Sequence, residues 1–253
     1  MLTLLHKEFL DFWRSKKFIW LPVVFMLFCV MQPLTYYFMD DILKFGGNLP
    51  EGAVIEMPLP SSAEVMASVL SQLNTVGVLL MIVAAMGSIN DERKNGSLTL
   101  LLVRPIFYIN YVSSKIISQS VLLIFSFLCG YALSYYYTIV LFSSVAIDVV
   151  LQSALIYSLY VLFIVTIVIF TSALLNNSGA IAIVNVLFLG GLSIVSSWLT
   201  EILKYSPTRL SSFASAIVMN EETNGLVGCV IVTLCVIFAL HIGTAMIVKK
   251  KRV

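Results

Sequence analysis

The chain has 253 residues, of which 60% are hydrophobic and only 11% are charged, and its mean hydropathy is +1.01. A water-soluble domain of this length needs far more polar surface, so the composition excludes one and predicts a protein that crosses a bilayer several times. The net charge of +2 says little by itself, because orientation depends on where the charges lie. All four cysteines lie in apolar stretches, which indicates small buried side chains rather than disulfides or metal ligands.

The first segment, residues 1–17, is amphipathic. Its apolar residues share one stripe at helical spacing, and its charged residues face elsewhere. This pattern is typical of a helix that lies in the inner membrane interface before the chain enters the bilayer. A basic flank that only sets topology is a second, compatible interpretation. The stripe consists of Leu2, Leu5, Phe9, Phe12 and Trp13.

Six apolar stretches are long enough to cross the hydrocarbon, and they predict an all-α integral membrane protein with a single transmembrane domain. The predicted spans are 18–39, 64–89, 116–141, 149–175, 179–199 and 226–248. The first stretch is too long for the core of a signal peptide, so we expect it to remain as a span. Residues 200–225 have too little apolar content to cross, and they predict short helices at the outer surface.

The basic residues are distributed unevenly about these spans. If the amino terminus, 90–115, 176–178 and the carboxyl terminus share one side, that side holds twelve of the fifteen. The other side holds only Lys44, Lys204 and Arg209. Because positive charge is retained in the cytoplasm, the bias predicts that both termini and residues 90–115 are cytoplasmic.

The cytoplasmic region 90–115 contains an element of its own between spans two and three. Asn95, Gly96 and Ser97 provide turn and helix-capping chemistry. Four residues then fall on one helical face. These are Leu98, Leu101, Leu102 and Pro105. Such a face either lies on the membrane surface or docks on a cytoplasmic partner, and the residues alone leave both interpretations open.

The chain has no phosphate-binding loop, no H-E-x-x-H motif and no G-x-S-x-G elbow, so we predict no enzyme activity and no bound cofactor or metal. The charged side chains (Asp, Glu, Lys and Arg) all lie at or beyond the ends of the predicted spans. Ion-coupled carriers need such side chains within the spans to bind the coupling ion. His241 is well inside a span, where we expect an interhelical hydrogen bond rather than a proton relay. Energy for any transport must therefore come from a partner.

Several uncharged polar side chains lie within the predicted spans. They either line a pathway or hydrogen-bond the helices together, and for each one helix packing is the commoner role. They include Gln72, Asn74, Gln119, Ser120, Gln152 and Asn185.

These features together resemble the permease subunits of type-two ATP-binding-cassette (ABC) exporters. The resemblance covers nearly the whole chain and depends on the six spans, the amphipathic amino-terminal helix, the cytoplasmic element and the outer segment. The cytoplasmic element has Glu92-Arg93, Gly96-Ser97, Leu101-Leu102 and Pro105. The family commonly has Thr where Ser97 stands here, which is a minor departure.

The resemblance implies a permease of a bacterial plasma membrane, in contact with lipid, that pairs with a second permease chain, the same or related. Two copies of a separate cytoplasmic ABC ATPase would carry ATP and Mg, and no nucleic acid is involved. The cytoplasmic element would be a coupling helix on the ATPase. Its residues would be Glu92, Arg93, Gly96, Ser97, Leu98, Leu101, Leu102 and Pro105, with help from the amino-terminal helix.

The sequence indicates only the chemical class of the transported substrate. The apolar interior favours export of an amphipathic or hydrophobic substrate. Two other functions remain as alternatives. One is a non-transporting membrane interaction or regulatory protein, and the other is an ion-coupled secondary carrier.

Overall fold

The structure is a computed structural model that describes residues 1–39, 42, 60–96, 107–198 and 203–250. Across these residues it is helical throughout, with six helices long and apolar enough to cross a membrane, which confirms the predicted fold class. Spans one to six are Lys17–Tyr37, Ser62–Lys94, Tyr108–Leu141, Ile147–Leu174, Ser178–Trp198 and Leu226–Lys250. The amino-terminal helix is Leu2–Arg14. A short helix, Arg209–Val218, is called the outer helix after the side that the sequence predicts for it.

Span three begins at Tyr108, eight residues before the start predicted from hydropathy. Ser113, Ser114 and Lys115 lower the local hydropathy, but the helix continues because their polar groups find partners. The Ser114 hydroxyl, for example, donates to the Tyr111 carbonyl oxygen at 2.7 Å. The predicted cytoplasmic region 90–115 therefore contains the ends of two long helices. Residues 97–106 lie outside the described part of the chain, and with them Ser97, Leu98, Leu101, Leu102 and Pro105.

Span two begins with a capping box, in which the side chains of Ser61 and Glu64 each accept a hydrogen bond from the other residue's backbone N–H. One turn of π-helix, Leu73–Gly77, interrupts it between Ser62–Gln72 and Val78–Ala85. A π-turn inserts an extra residue and so changes the helical phase of the residues after it, and such turns occur frequently at functional sites. After a short turn the helix resumes at Asn90–Lys94.

Spans one and three pack closely at Gly130. A β-carbon at Gly130 would lie 2.7 Å from the Phe25 carbonyl oxygen, so only glycine permits this approach. Beside it, the rings of Phe127, Tyr131 and Tyr157 stack in the core between spans three and four. Spans five and six are largely exposed.

The outer helix lies in the predicted segment 200–225 and packs against spans two and four. It buries Leu210, Phe213, Ala214 and Val218. The chain leading into it is held by Thr208, whose hydroxyl is 3.1 Å from that of Ser196 at the end of span five.

Candidate functional site where spans two and three meet the amino-terminal helix

A buried ion triad joins three elements at the end of the molecule where span one begins. Lys115 in span three is only 3% exposed. Its ammonium lies 2.8 Å from an oxygen of Glu8 on the amino-terminal helix and 2.9 Å from an oxygen of Glu92 at the foot of span two. Burial weakens competition from water, so one lysine ties the amino-terminal helix, span two and span three together.

Two further side chains complete this group. The Lys7 ammonium donates a hydrogen bond to one oxygen of Glu92 and lies 3.4 Å from an oxygen of Glu8. The Tyr111 hydroxyl donates to the other oxygen of Glu92 at 2.6 Å. Burial lowers the pKa of Lys7, but the hydrogen bond and the charge of Glu92 outweigh it, so this pKa is raised and Lys7 stays charged at neutral pH. We call Lys7, Glu8, Glu92, Tyr111 and Lys115 the charge cluster.

The charge cluster is satisfied without a metal ion. Asp11, Glu8 and Glu92 offer carboxylate oxygens within 4.8 Å of one another, which is close enough for a shared cation. However, the ammonium groups of Lys7 and Lys115 already neutralise Glu8 and Glu92. The arrangement is therefore an ion-pair network that fixes helices in place.

The charge cluster flanks residues 97–106 on both sides. Glu92 lies five residues before this segment, and Tyr111 lies five residues after it. Gly96 just before it has φ of +71°, which favours glycine, and a β-carbon there would meet open space. The described helices that precede and follow residues 97–106 therefore share one group of ion pairs.

A second set of contacts ties the foot of span two to the turn between spans four and five. The Arg93 guanidinium donates to the carbonyl oxygens of Ala173 and Leu175, each at 3.2 Å, and to the Asn176 side-chain oxygen. The end of a helix leaves such carbonyls without partners and carries partial negative charge, so a guanidinium suits it. Asn90, fully buried, lies 2.6 Å from the Ser178 hydroxyl.

The predicted interfacial stripe divides between two faces of the amino-terminal helix. Phe12 is buried beside Glu8, and Leu5 is half-buried. Phe9 and Trp13 are exposed, although the Trp13 ring also contacts Phe18 near the start of span one. The helix therefore contacts the protein with one apolar face and leaves another free.

The predicted polar residues of the spans occupy different environments. The Gln119 amide donates to the Ala84 carbonyl oxygen at 3.3 Å, and the Asn185 amide donates to the Thr171 hydroxyl at 2.6 Å, so both join neighbouring spans. Ser120 is buried, Gln72 is half-buried and Gln152 is exposed on span four. The expected interhelical bond of His241 is confirmed, because its Nε2 lies 2.9 Å from the Ser113 hydroxyl.

Asn74 borders a cleft of about 350 Å³ between the π-turn of span two and span five. Most of the wall is apolar, and four of the lining residues have polar side chains. These are Asn74, Thr75, Tyr160 and Ser193. A cleft of this size with a few polar groups suits part of an amphipathic molecule. We call it the π-turn cleft.

Sequence reasoning missed Lys7, Glu8, Asn90, Tyr111 and Lys115 as parts of a site. Two signals were present in the sequence. Glu8 lies one helical turn after Leu4 and one turn before Phe12, and Lys115 follows Tyr111 by one helical turn. A charge on an apolar helical face needs a partner, which is a reason to search for one.

The described residues form a six-span membrane protein in which ion pairs join the adjacent ends of spans two and three to the amino-terminal helix. Residues 2–215 match the family described as ABC-2 family transporter protein. The chain is also 39% identical over 222 residues to the uncharacterized transmembrane protein YxlG of Bacillus subtilis (strain 168), covering 88% of this chain and 86% of that protein. The chain belongs to the ABC-2 transporter family, which is a family of multi-pass permease subunits.

Proposed function

We propose that this permease exports an amphipathic or hydrophobic substrate with energy from a separate cytoplasmic ABC ATPase. Two ATPase copies, which carry ATP and Mg, work with two permease chains, the same or related. Both permease termini lie in the cytoplasm of a bacterial cell. The main support for the proposal is the charge cluster, which joins the helix before residues 97–106 to the helix after them.

The charge cluster supplies the mechanical requirement for coupling. A segment pushed by an ATPase moves the spans only if its ends are attached firmly to them. The Glu92–Lys115 ion pair joins spans two and three, and Glu8 joins both to the amino-terminal helix. Arg93 extends the connection to the end of span four. Movement of residues 97–106 would therefore shift spans two, three and four together.

The π-turn cleft supports the substrate class. Its apolar wall would accept a hydrocarbon or aromatic group, and Asn74 and Ser193 would bond a polar group at the same time. Tilting of span two during coupling would change the width of this cleft, because the π-turn forms one of its sides.

Charge substitutions in the proposed docking face test the proposal. Leu101→Asp and Leu102→Asp each place a carboxylate where the ATPase groove would contact leucine. We expect both variants to insert normally and to lose the ATPase during purification in mild detergent. Met219→Asp is the matched control, because it adds the same charge at an exposed position beyond the outer helix. If both leucine variants retain the ATPase as well as the control does, residues 97–106 are not the docking element.

A further inference from the structure

A narrow cavity lies between spans five and six. Both spans pack against span four, which forms the floor of the cavity. At the ends nearest the outer helix the two spans are joined through residues 206–208. The Thr208 hydroxyl lies 3.1 Å from that of Ser196 on span five, and the Cys229 thiol of span six donates to the Ser206 carbonyl oxygen at 3.1 Å. Away from this connection the three spans enclose about 330 Å³, which we call the span five–six gap.

The lining of the gap is apolar on all three spans. Of the described residues that line it, Thr171 alone has a polar side chain. Its hydroxyl donates to carbonyl oxygens of its own helix and accepts from the Asn185 amide at 2.6 Å, so it is already bonded. Apolar cavities stay dry and take up apolar molecules, so the gap selects hydrocarbon over water. The lining includes Phe163 and Phe170 of span four, Val184 and Phe188 of span five, and Val236 and Leu240 of span six.

The dimensions of the gap fit one extended hydrocarbon chain. The lining runs from Phe163 to Thr171 on span four and from Val184 to Leu192 on span five, and each stretch rises about 12 Å along its helix. Dividing the volume of 330 Å³ by this length gives a cross-section of about 28 Å². A helix about 10 Å wide has a cross-section of about 80 Å², so a helix of a second copy is too wide to enter the gap.

The gap is open to the surroundings of span five. Val184 and Phe188 line it and are nevertheless 43% and 53% exposed, so the gap is not sealed within the protein. Both residues lie in the interior of the span Ser178–Trp198, at the depth where a bilayer consists of hydrocarbon. An empty gap would leave its walls without van der Waals partners, and lipid is the material that meets the opening.

The gap differs in chemistry from the π-turn cleft, which span five also borders. Leu189 and Ser193 of span five line the cleft, whereas Phe188 and Leu192 line the gap. Four lining residues of the cleft have polar side chains, which suit an amphipathic molecule. The gap has no comparable set, so it is suited to hydrocarbon alone.

We infer that the span five–six gap binds one acyl chain of a membrane phospholipid. The chain lies along span four and fills the space that side chains leave open between spans five and six. Binding of the acyl chain requires neither export nor an ATPase, so this inference and the proposed function succeed or fail separately.

Photolabelling in a bilayer tests the inference. The full chain is placed in nanodiscs of phosphatidylcholine that contain increasing fractions of phosphatidylcholine with a diazirine in the middle of one acyl chain. After irradiation, the labelled residues are located by tandem mass spectrometry. We expect labelling of Leu240 to saturate at a low fraction of the photoreactive lipid, because a bound chain occupies a single site. Labelling of Phe238, which is 67% exposed two residues away, should rise in proportion to that fraction, because Phe238 meets only exchanging lipid.

Variants that fill the gap identify the site. Val236→Phe should abolish the saturable labelling of Leu240, and Val184→Phe should do the same from span five. Val227→Phe is the matched control, because Val227 lies nine residues before Val236, on the opposite face of span six, and is 70% exposed. It should leave the saturable labelling unchanged.

Three results would overturn the inference. The first is labelling of Leu240 that rises in proportion to the photoreactive lipid, and this result requires no variant. The second is saturable labelling that survives both filling substitutions. The third is labelling of Phe238 without any labelling of Leu240, which would show that protein closes the gap.

Discussion

Replacement of Lys115 by methionine should destabilise the protein strongly. The lysine side chain is 4% exposed, and its ammonium lies within 3 Å of oxygens from Glu8 and Glu92. Methionine fills a similar volume but removes the ammonium that lies between the two largely buried carboxylates. Among the described residues, the other ammonium bound to them is that of Lys7, which is about one-third exposed. Breaking a buried pair in this way costs about 3–5 kcal/mol.

Protonation sets an upper limit on that cost. An ordinary glutamate has a pKa of about 4.3, so protonating a stranded carboxylate at pH 7 costs about 4 kcal/mol. The expected loss is therefore about 3–4 kcal/mol at pH 7, and it should fall below about 2 kcal/mol at pH 5.5. For a chain of this size each kcal/mol corresponds to about 2–4 °C in Tm, which predicts a decrease of about 6–15 °C at pH 7.

Thermal unfolding followed by intrinsic fluorescence in one detergent measures this decrease. Lys94→Met is the matched control, because Lys94 is exposed at the foot of span two and should change Tm little. Adding Glu8→Gln to Lys115→Met should recover part of the loss, because it removes one of the two stranded carboxylates. A decrease equal to that of the control, or one that does not depend on pH, would refute the ion-pair reasoning.

Two further predictions use neighbouring residues as controls. Glu92→Gln should lower both Tm and the ATPase stimulation of the purified complex, because it removes the negative charge that pairs with Lys115. The control, Asp91→Asn, changes an exposed neighbour and should leave both quantities unchanged. Equal effects of the two substitutions would mean that the burial of Glu92 is irrelevant. Gly130→Ala should lower the free energy of unfolding by about 1–3 kcal/mol, measured by thermal unfolding, because the new β-carbon would contact the Phe25 carbonyl oxygen. The control is Gly191→Ala, whose β-carbon would have no atom within 4 Å, so this substitution should be neutral or stabilising. A tolerated Gly130→Ala would contradict the close packing of spans one and three.

The spans were predictable because hydropathy depends only on the local sequence. Twenty apolar residues in succession have few alternatives to a membrane helix, so all six were found. The start of span three was not predictable from hydropathy, because Ser113, Ser114 and Lys115 resemble loop residues until their partners are known. The π-turn at Leu73–Gly77 was not predicted either, because it depends on how span two packs rather than on its composition.

The candidate site was predictable only in part. Glu92 and Arg93 were assigned to the coupling region by family resemblance, but their contacts were hidden by sequence distance. Glu8 and Lys115, for instance, are 107 residues apart, and a single sequence has no signal for such a pair. The leucines proposed to dock on the ATPase remain a prediction, because they lie outside the described residues.

Purification of the tagged chain from its native membrane in several mild detergents, followed by mass spectrometry, tests the central claim most directly. The account predicts an ATPase with a phosphate-binding loop in stoichiometric amount, together with a second permease chain, the same or related. Recovery of the chain alone, or only with other membrane proteins, in every detergent would contradict ATPase coupling and favour a membrane interaction protein.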